Sequence, residues 1–307
     1  MFVRVLGSSA GGGLPQWNCG CANCRAVRAG DADIDARTQS SVAISADGRA
    51  WFLLNTSPDI RQQILHFPAL GPPEDAARGT AIAGCVLTDA EIDHTAGLLL
   101  LREGCTMSIL CTPIVRSWLA RYLGVEDTLA CFAERLWRVL PLGETVSLVL
   151  PDGKQSGLRV RAFETDRHVP KFATENETDT AGSVVGLDIE DVRTGGRFVY
   201  APCVATIDEP LKQAVQLADC LFVDGTFWDD DEPKRCGITN RTARQMGHIP
   251  VSGDEGSLQW LGKLLTKNRV YIHINNTNPM LHRGSPEHRA VREQGVQIAT
   301  DGDYFEL

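Results

Sequence analysis

The sequence predicts an α/β fold in which two mixed β-sheets lie face to face between outer layers of helices. Three observations carry that prediction. Strand pairs that read as hairpins occur in both halves of the 307 residues, each half also contains strand, loop and helix units, and no low-complexity linker separates the halves. Residues 1–307 are therefore read as one domain.

The elements follow in order. FVRVLG alternates apolar residues and reads as a strand, closed by a flexible turn at Gly11–Gly13. SVAISADGRAWFLLNTS is a hairpin turned at Ala46-Asp47-Gly48. SPDIRQQIL starts a helix, with Ser57 as N-cap, Pro58 in the first turn and Ile60 and Ile64 on one face. AIAGCVLTD is an apolar run that ends in polar residues, as a buried strand does where it enters a loop, and TAGLLLLRE behind it is helical. MSILCT is a strand, PIVRSWLARYLG a helix, and VSLVL and LRVRAFE are strands. SVVGLDIEDVRTGGRFVYAP is a hairpin turned at Thr194-Gly195-Gly196, followed by the helix EPLKQAVQLA, the strand DCLFVDGTF, the helix SLQWLGKLL and the strand RVYIHIN.

Composition narrows the function. A hydrophobic share of 43% with 22% charged residues supports a sizeable core. The net charge of −9 and the absence of any Lys/Arg run argue against a nucleic-acid backbone as partner. No segment approaches the roughly 20 apolar residues that span a bilayer, and the apolar opening is too short for a signal-peptide core, so the expectation is a soluble cytoplasmic protein without membrane partners. Whether it is a homodimer stays open. Of the ten cysteines, Cys85, Cys105, Cys111, Cys131, Cys203, Cys220 and Cys236 are scattered in apolar or small-residue contexts and read as buried free thiols.

Cys19, Cys21 and Cys24 cluster instead. Three thiolates within six residues suit a tetrahedral structural zinc, and the alternative is three reduced loop cysteines. At the end of the predicted strand AIAGCVLTD, Asp89, Glu91, Asp93 and His94 present carboxylates and an imidazole that can surround a metal, or merely an acidic helix N-terminus favoured by the dipole. His273 lies late in an apolar strand, either as a satisfied core residue or as a ligand emerging at the sheet end. His248 is either an acid/base group or a surface histidine. Asp224 either orients a ligand or caps the next turn. Asp229–Glu232 reads as a solvated acidic loop, and Arg241 and Arg244 either as surface residues or as clamps for the carboxylates of a substrate.

The segments GSSAGGGLPQWNCGCANC, ARTQSS, SPDIRQQ, EIDHTAGLLLLREG, YAPC, LFVDGTFWDDDE, RQMGHIP and HINNTNP, in that order, resemble the pyrroloquinoline quinone (PQQ) biosynthesis protein B family of the metallo-β-lactamase superfamily. The resemblance runs along essentially the whole chain and implies an αββα sandwich. The superfamily loop is His-x-His-x-Asp-His; here its first two histidines align with Asp89 and Glu91, the Asp-His pair stays as Asp93-His94, the bridging aspartate aligns with Cys203, and the last histidine is His273. One metal pocket is thereby degraded and the other kept. Asp93, His94 and His273 are the two-histidine, one-carboxylate set of non-haem Fe(II) oxygenases. Asp89, Glu91, Asp224 and His248 stand beside it as candidate catalytic or supporting groups, and His168 can complete a weak second site with Asp89 and Glu91. The resemblance places a fourth zinc ligand in Asn275–Asn278 and implies Fe(II)- and O2-dependent hydroxylation of the tyrosine-derived ring of a cross-linked Glu-Tyr small-molecule precursor of PQQ. A metallohydrolase and a non-catalytic PQQ carrier are the competing readings.

Overall fold

The computed structural model describes residues 1–103, 105–173 and 179–307. Its strands are β1 (Phe2–Gly7), β2 (Ser41–Ser45), β3 (Trp51–Leu54), β4 (Ile82–Val86), β5 (Met107–Cys111), β6 (Arg135–Val139), β7 (Thr145–Val149), β8 (Gln155–Asp166), β9 (Val184–Asp191), β10 (Arg197–Ala201), β11 (Cys220–Asp224), β12 (Asn268–Ile272), β13 (Gln297–Ile298) and β14 (Tyr304–Glu306). Among the described residues they form two seven-stranded sheets, ordered β14-β1-β2-β3-β4-β5-β6 and β13-β12-β11-β10-β9-β8-β7. Each sheet is antiparallel on one side and parallel on the other: β3 to β6 run parallel in the first, β10 to β13 in the second.

The alternation of side chains across a strand explains the layering. In β10 and β11, Phe198, Tyr200, Cys220 and Phe222 face the other sheet and pack with Val3, Val5, Ile44, Phe52 and Leu54. The residues between them, Val199, Leu221 and Val223, face outward onto the helices Glu209–Val215, Ser257–Lys263 and Pro286–Glu293. The first sheet turns Leu53, Cys85 and Ile109 onto the helices Ile60–His66 and Pro113–Leu123. Strands buried on both faces read as unbroken apolar runs, which is why they were visible in the sequence. Truncating Phe222 to alanine in such a layer costs about 3–5 kcal/mol.

Pro113–Leu123 shows how local sequence sets an element. Thr112 caps it by accepting from Val115 N, Pro113 stands where no helical donor is needed, and Gly124 ends it in the left-handed region at φ 58°.

Several expectations are corrected. Ser57 is not the N-cap; Asp59 precedes the helix, and Ser57 Oγ instead accepts from Asp59 N and donates to Gln63 Oε1. TAGLLLLRE is not one helix but the end of Ile92–Thr95 followed by Gly97–Leu100. Strands β6, β13 and β14 and the helix Pro286–Glu293 were not anticipated. Cys85, Cys111 and Cys220 are buried, whereas Cys131 and Cys236 are exposed. Among the described residues, no helix is long and apolar enough to cross a membrane.

Candidate metal centre

The site lies where strand C-terminal ends of both sheets meet. β4 delivers the loop Thr88–His94, β10 leads to Cys203, β11 ends in Asp224, and β12 leads straight into His273. Gly11, from the loop after β1, lies so close to Asp93 that a Cβ there would stand 3.2 Å from Asp93 Oδ2 and press on that carboxylate.

Asp93 Oδ2 is 3.3 Å from His273 Nε2 and 3.9 Å from His94 Nε2. The rings of His94 and His273 are 4.9 Å apart. His94 is fully buried, and its Nε2 has no hydrogen-bond partner among the described residues. Its other nitrogen is held by Asp89, whose Oδ1 and Oδ2 lie 2.9 and 2.7 Å from Nδ1. A carboxylate only accepts, so Nδ1 carries a proton, and in the neutral ring that a cation would bind Nε2 is the nitrogen with the lone pair. A buried, unpartnered imidazole nitrogen beside a carboxylate and a second imidazole is what a divalent cation would satisfy. Cys203 belongs to the same neighbourhood, with ligand atoms of His94, Cys203 and His273 all within 4.8 Å of one another.

Electrostatics follow from this crowding. Burial opposes protonation of His94, but Asp89 and Asp93 outweigh it and push its pKa up to about 9. Burial likewise opposes ionisation of Asp93, yet His94 and His273 hold it well below the usual carboxylate range. Burial, with Asp89 and Asp93 adding to it, pushes Glu91 up to about 7. His273 is held below its ordinary value by burial.

A cavity of about 390 Å³ opens over these residues and brings in groups the sequence had left ambiguous. His248 lines it with 13% of its side chain exposed and is no surface histidine; its Nδ1 is 2.7 Å from Asp224 Oδ2. Asp224 is both cap and orienter: it accepts from Thr226 N, from the Thr226 hydroxyl, from Val204 N and from His248. Arg241 is not a simple surface residue, since it lines the cavity with Lys171, whereas Arg244 pairs with Glu255 away from it. The acidic run 229–232 is not uniformly solvated: Glu232 is buried, accepting from Trp228 N and Thr277 Oγ1.

Asp89 and Glu91 part company. Both oxygens of Asp89 are engaged by Thr88, Glu91 N and His94. Glu91 lines the cavity 3.8 Å from His168 Nε2. With Asp89 committed to His94, a second site on Asp89, Glu91 and His168 keeps only the Glu91 carboxylate and the His168 ring as free donors.

The three cysteines converge as their spacing suggests. Asn276 places its side-chain amide among them, with Nδ2 3.1, 3.5 and 3.3 Å from the sulfurs of Cys19, Cys21 and Cys24. The two ends of an amide are assigned from their contacts, and turning this one presents Oδ1 to the sulfurs as a fourth donor beside three thiols. Burial pushes the Cys24 thiol up to about 11, a penalty that a cation among the sulfurs removes. The sequence had indicated only the region Asn275–Asn278. Lys171 had no sequence signal, and the contacts of Thr226 and the grip of Asp89 on the His94 ring appear only in the fold.

Comparison with known proteins agrees with this geometry. The model of the beta-lactamase superfamily domain matches residues 50–274. The coenzyme PQQ synthesis protein B of Pseudomonas putida (strain W619) is 43% identical over 309 residues, covering 100% of both chains, and that of Klebsiella pneumoniae (strain 342) is 42% identical, covering 98% of this chain and 97% of the relative. The crystal structure of Zn(2+)-bound PqqB from Methylobacterium extorquens superimposes with a TM-score of 0.91 at 38% identity and full coverage of both chains. A diphosphatase from the PhnP family shares the fold, with a TM-score of 0.67 at 20% identity, covering 100% of this chain and 97% of its own. Two sheets between helices, a metal-ready cluster at their joined edge and full-length similarity thus agree: the chain belongs to the coenzyme PQQ synthesis protein B family of the beta-lactamase superfamily.

Proposed function

We propose that this protein acts in PQQ biosynthesis as a mononuclear non-haem iron hydroxylase, using Fe(II) and O2 to hydroxylate the tyrosine-derived ring of a cross-linked Glu-Tyr precursor. The observation that carries the reading is the meeting of Asp93, His94 and His273 with His94 Nε2 buried and unpartnered. Two imidazoles and one carboxylate would hold the iron, leaving further positions open. Bound there, Fe(II) supplies the electron transfer to O2 that a redox-inert ion such as zinc does not. The overall change is ArH + O2 + two electrons + two protons giving ArOH + H2O, so a two-electron reductant is required.

The chain's own groups have definite tasks in this scheme. Asp89 fixes the proton on His94 Nδ1. His248, oriented by Asp224, carries its proton on Nδ1 and turns Nε2 to the cavity, where it can accept or return a proton at the substrate's phenolic oxygen. Lys171 and Arg241 supply cationic charge for substrate carboxylates. Cys19, Cys21, Cys24 and Asn276 would hold a separate zinc with a structural task. The dinuclear hydrolase reading is weakened by Asp89, whose oxygens are already engaged, and by Cys203 in place of a bridging carboxylate.

The test is anaerobic loading with Fe(II), then addition of precursor, reductant and ¹⁸O2. Labelled product with Fe(II) and none with Zn(II) is expected. Turnover without O2, or oxygen drawn from water under conditions that exclude exchange, would replace the oxygenase with a hydrolase.

A further inference from the structure

Thr226 sits in the turn directly after β11 and touches more of the site than any backbone requirement explains. Its hydroxyl oxygen lies 2.7 Å from Asp224 Oδ1, 2.9 Å from His273 Nδ1, 2.9 Å from the His273 carbonyl oxygen and 3.2 Å from His248 Nδ1. The residue is 2% exposed, so water does not compete for these contacts.

A hydroxyl has one proton to donate and two lone pairs. The Asp224 carboxylate and the His273 carbonyl only accept, so the single proton goes to one of them. Whichever takes it, the Thr226 oxygen can meet His273 Nδ1 only as an acceptor. With a cation bound, His273 then carries its proton on Nδ1, and Nε2, which without a cation can donate to Asp93 Oδ2 at 3.3 Å, is the nitrogen that faces the ion. We propose that Thr226 is a positioning residue that fixes the proton of His273 on Nδ1 and thereby presents Nε2 to the metal, as Asp89 does for His94.

A backbone feature points the same way. His273 has φ 57°, a left-handed conformation that costs an L-residue with a Cβ roughly 1–2 kcal/mol. The Thr226 hydroxyl faces both the ring and the carbonyl of this one residue, so ring orientation and backbone twist are restrained from a single point. Asp224 is thus tied to two histidines, to His248 directly and to His273 through Thr226.

The inference rests on the reading of His273 as a metal ligand, and the experiment separates the two. In full-length protein loaded with Zn(II), nitrogen-15 NMR of the histidines should show His273 protonated at Nδ1; protonation at Nε2 overturns the proposal without any mutation. Thr226→Val should lower Zn(II) and Fe(II) affinity at this site roughly 10–100-fold and speed solvent exchange of the His273 Nδ1 proton, while Thr226→Ser should stay within a few-fold of the parent. Zinc content at the cysteine cluster and the thermal midpoint report on folding. Equal loss in both variants, or a valine variant that binds metal as the parent does, overturns the role of Thr226. If His273→Ala leaves metal affinity intact, the metal assignment itself fails.

Discussion

Asp89 grips His94 through both carboxylate oxygens, at 2.9 and 2.7 Å from Nδ1, and Thr88 Oγ1 supports the same carboxylate at 2.7 Å. The position that the resemblance aligns with a metal-binding imidazole is here a carboxylate that faces a neighbouring ring. Asp89→Asn keeps the shape but removes the charge and one acceptor, so Fe(II) affinity should fall roughly 10–100-fold. Anaerobic Fe(II) titration measures it; unchanged affinity would show that His94 is oriented by something else.

Cys21→Ser should remove about one zinc per chain and lower the thermal midpoint, because a structural zinc contributes directly to folding. Elemental analysis and thermal melts give both values. A triple serine variant of Cys19, Cys21 and Cys24 that keeps its zinc and its midpoint would reject the site. Metal titration of the Cys21 variant should find one remaining site, lost on Asp93→Ala.

Arg241→Gln should raise KM for the carboxylate-bearing precursor about tenfold with kcat little changed, since the charge is needed for binding and not for the ring chemistry. Steady-state kinetics with the parent precursor and an esterified analogue decide it. An equal loss for the neutral ester would mean that Arg241 shapes the cavity instead of reading charge.

Cys85 and Cys111 give a pH prediction remote from the metal residues. Burial pushes both thiols up to about 12. The folded thiol holds its proton more tightly than the unfolded one, whose pKa is about 8.5, so stability is full below about pH 8 and declines as pH rises toward 12. Each thiol should cost about 2 kcal/mol of stability at pH 10 relative to pH 7. Cys85→Ala should be less stable at pH 7 but lose less between pH 7 and 10. Urea unfolding across that range measures the slopes; equal slopes in variant and parent would refute it.

The sandwich was legible where strands are buried on both faces, as in LFVD and VYI, because their apolar runs have no helical period. β6 was not, since RLWRV sets its arginines three residues apart and so breaks the two-residue alternation of a strand, at a sheet edge where Arg135 is partnered by the carbonyls of Cys105 and Leu101. The cysteine cluster was legible because its donors are close in sequence. Asn276 was located only to a four-residue stretch because it meets them from more than 250 residues away. Lys171 and Arg241 belong to no motif, and only folding brings them to one cavity. Thr226 lies within LFVDGTFWDDDE, but nothing in that segment shows its role, because its four contacts arise from three separate segments.

The pairing of Asp93 with His273 spans 180 residues and joins the end of a loop from one sheet to the end of a strand in the other. An ion held there works as a clasp on the sandwich. It closes a long segment of chain without a covalent bond, so its contribution to cohesion grows with the length enclosed. Amide exchange in residues 88–97 and 272–278 should therefore slow together on loading, and chelation should release both stretches at once, making the open edge of the two layers a mechanical gauge of metal occupancy.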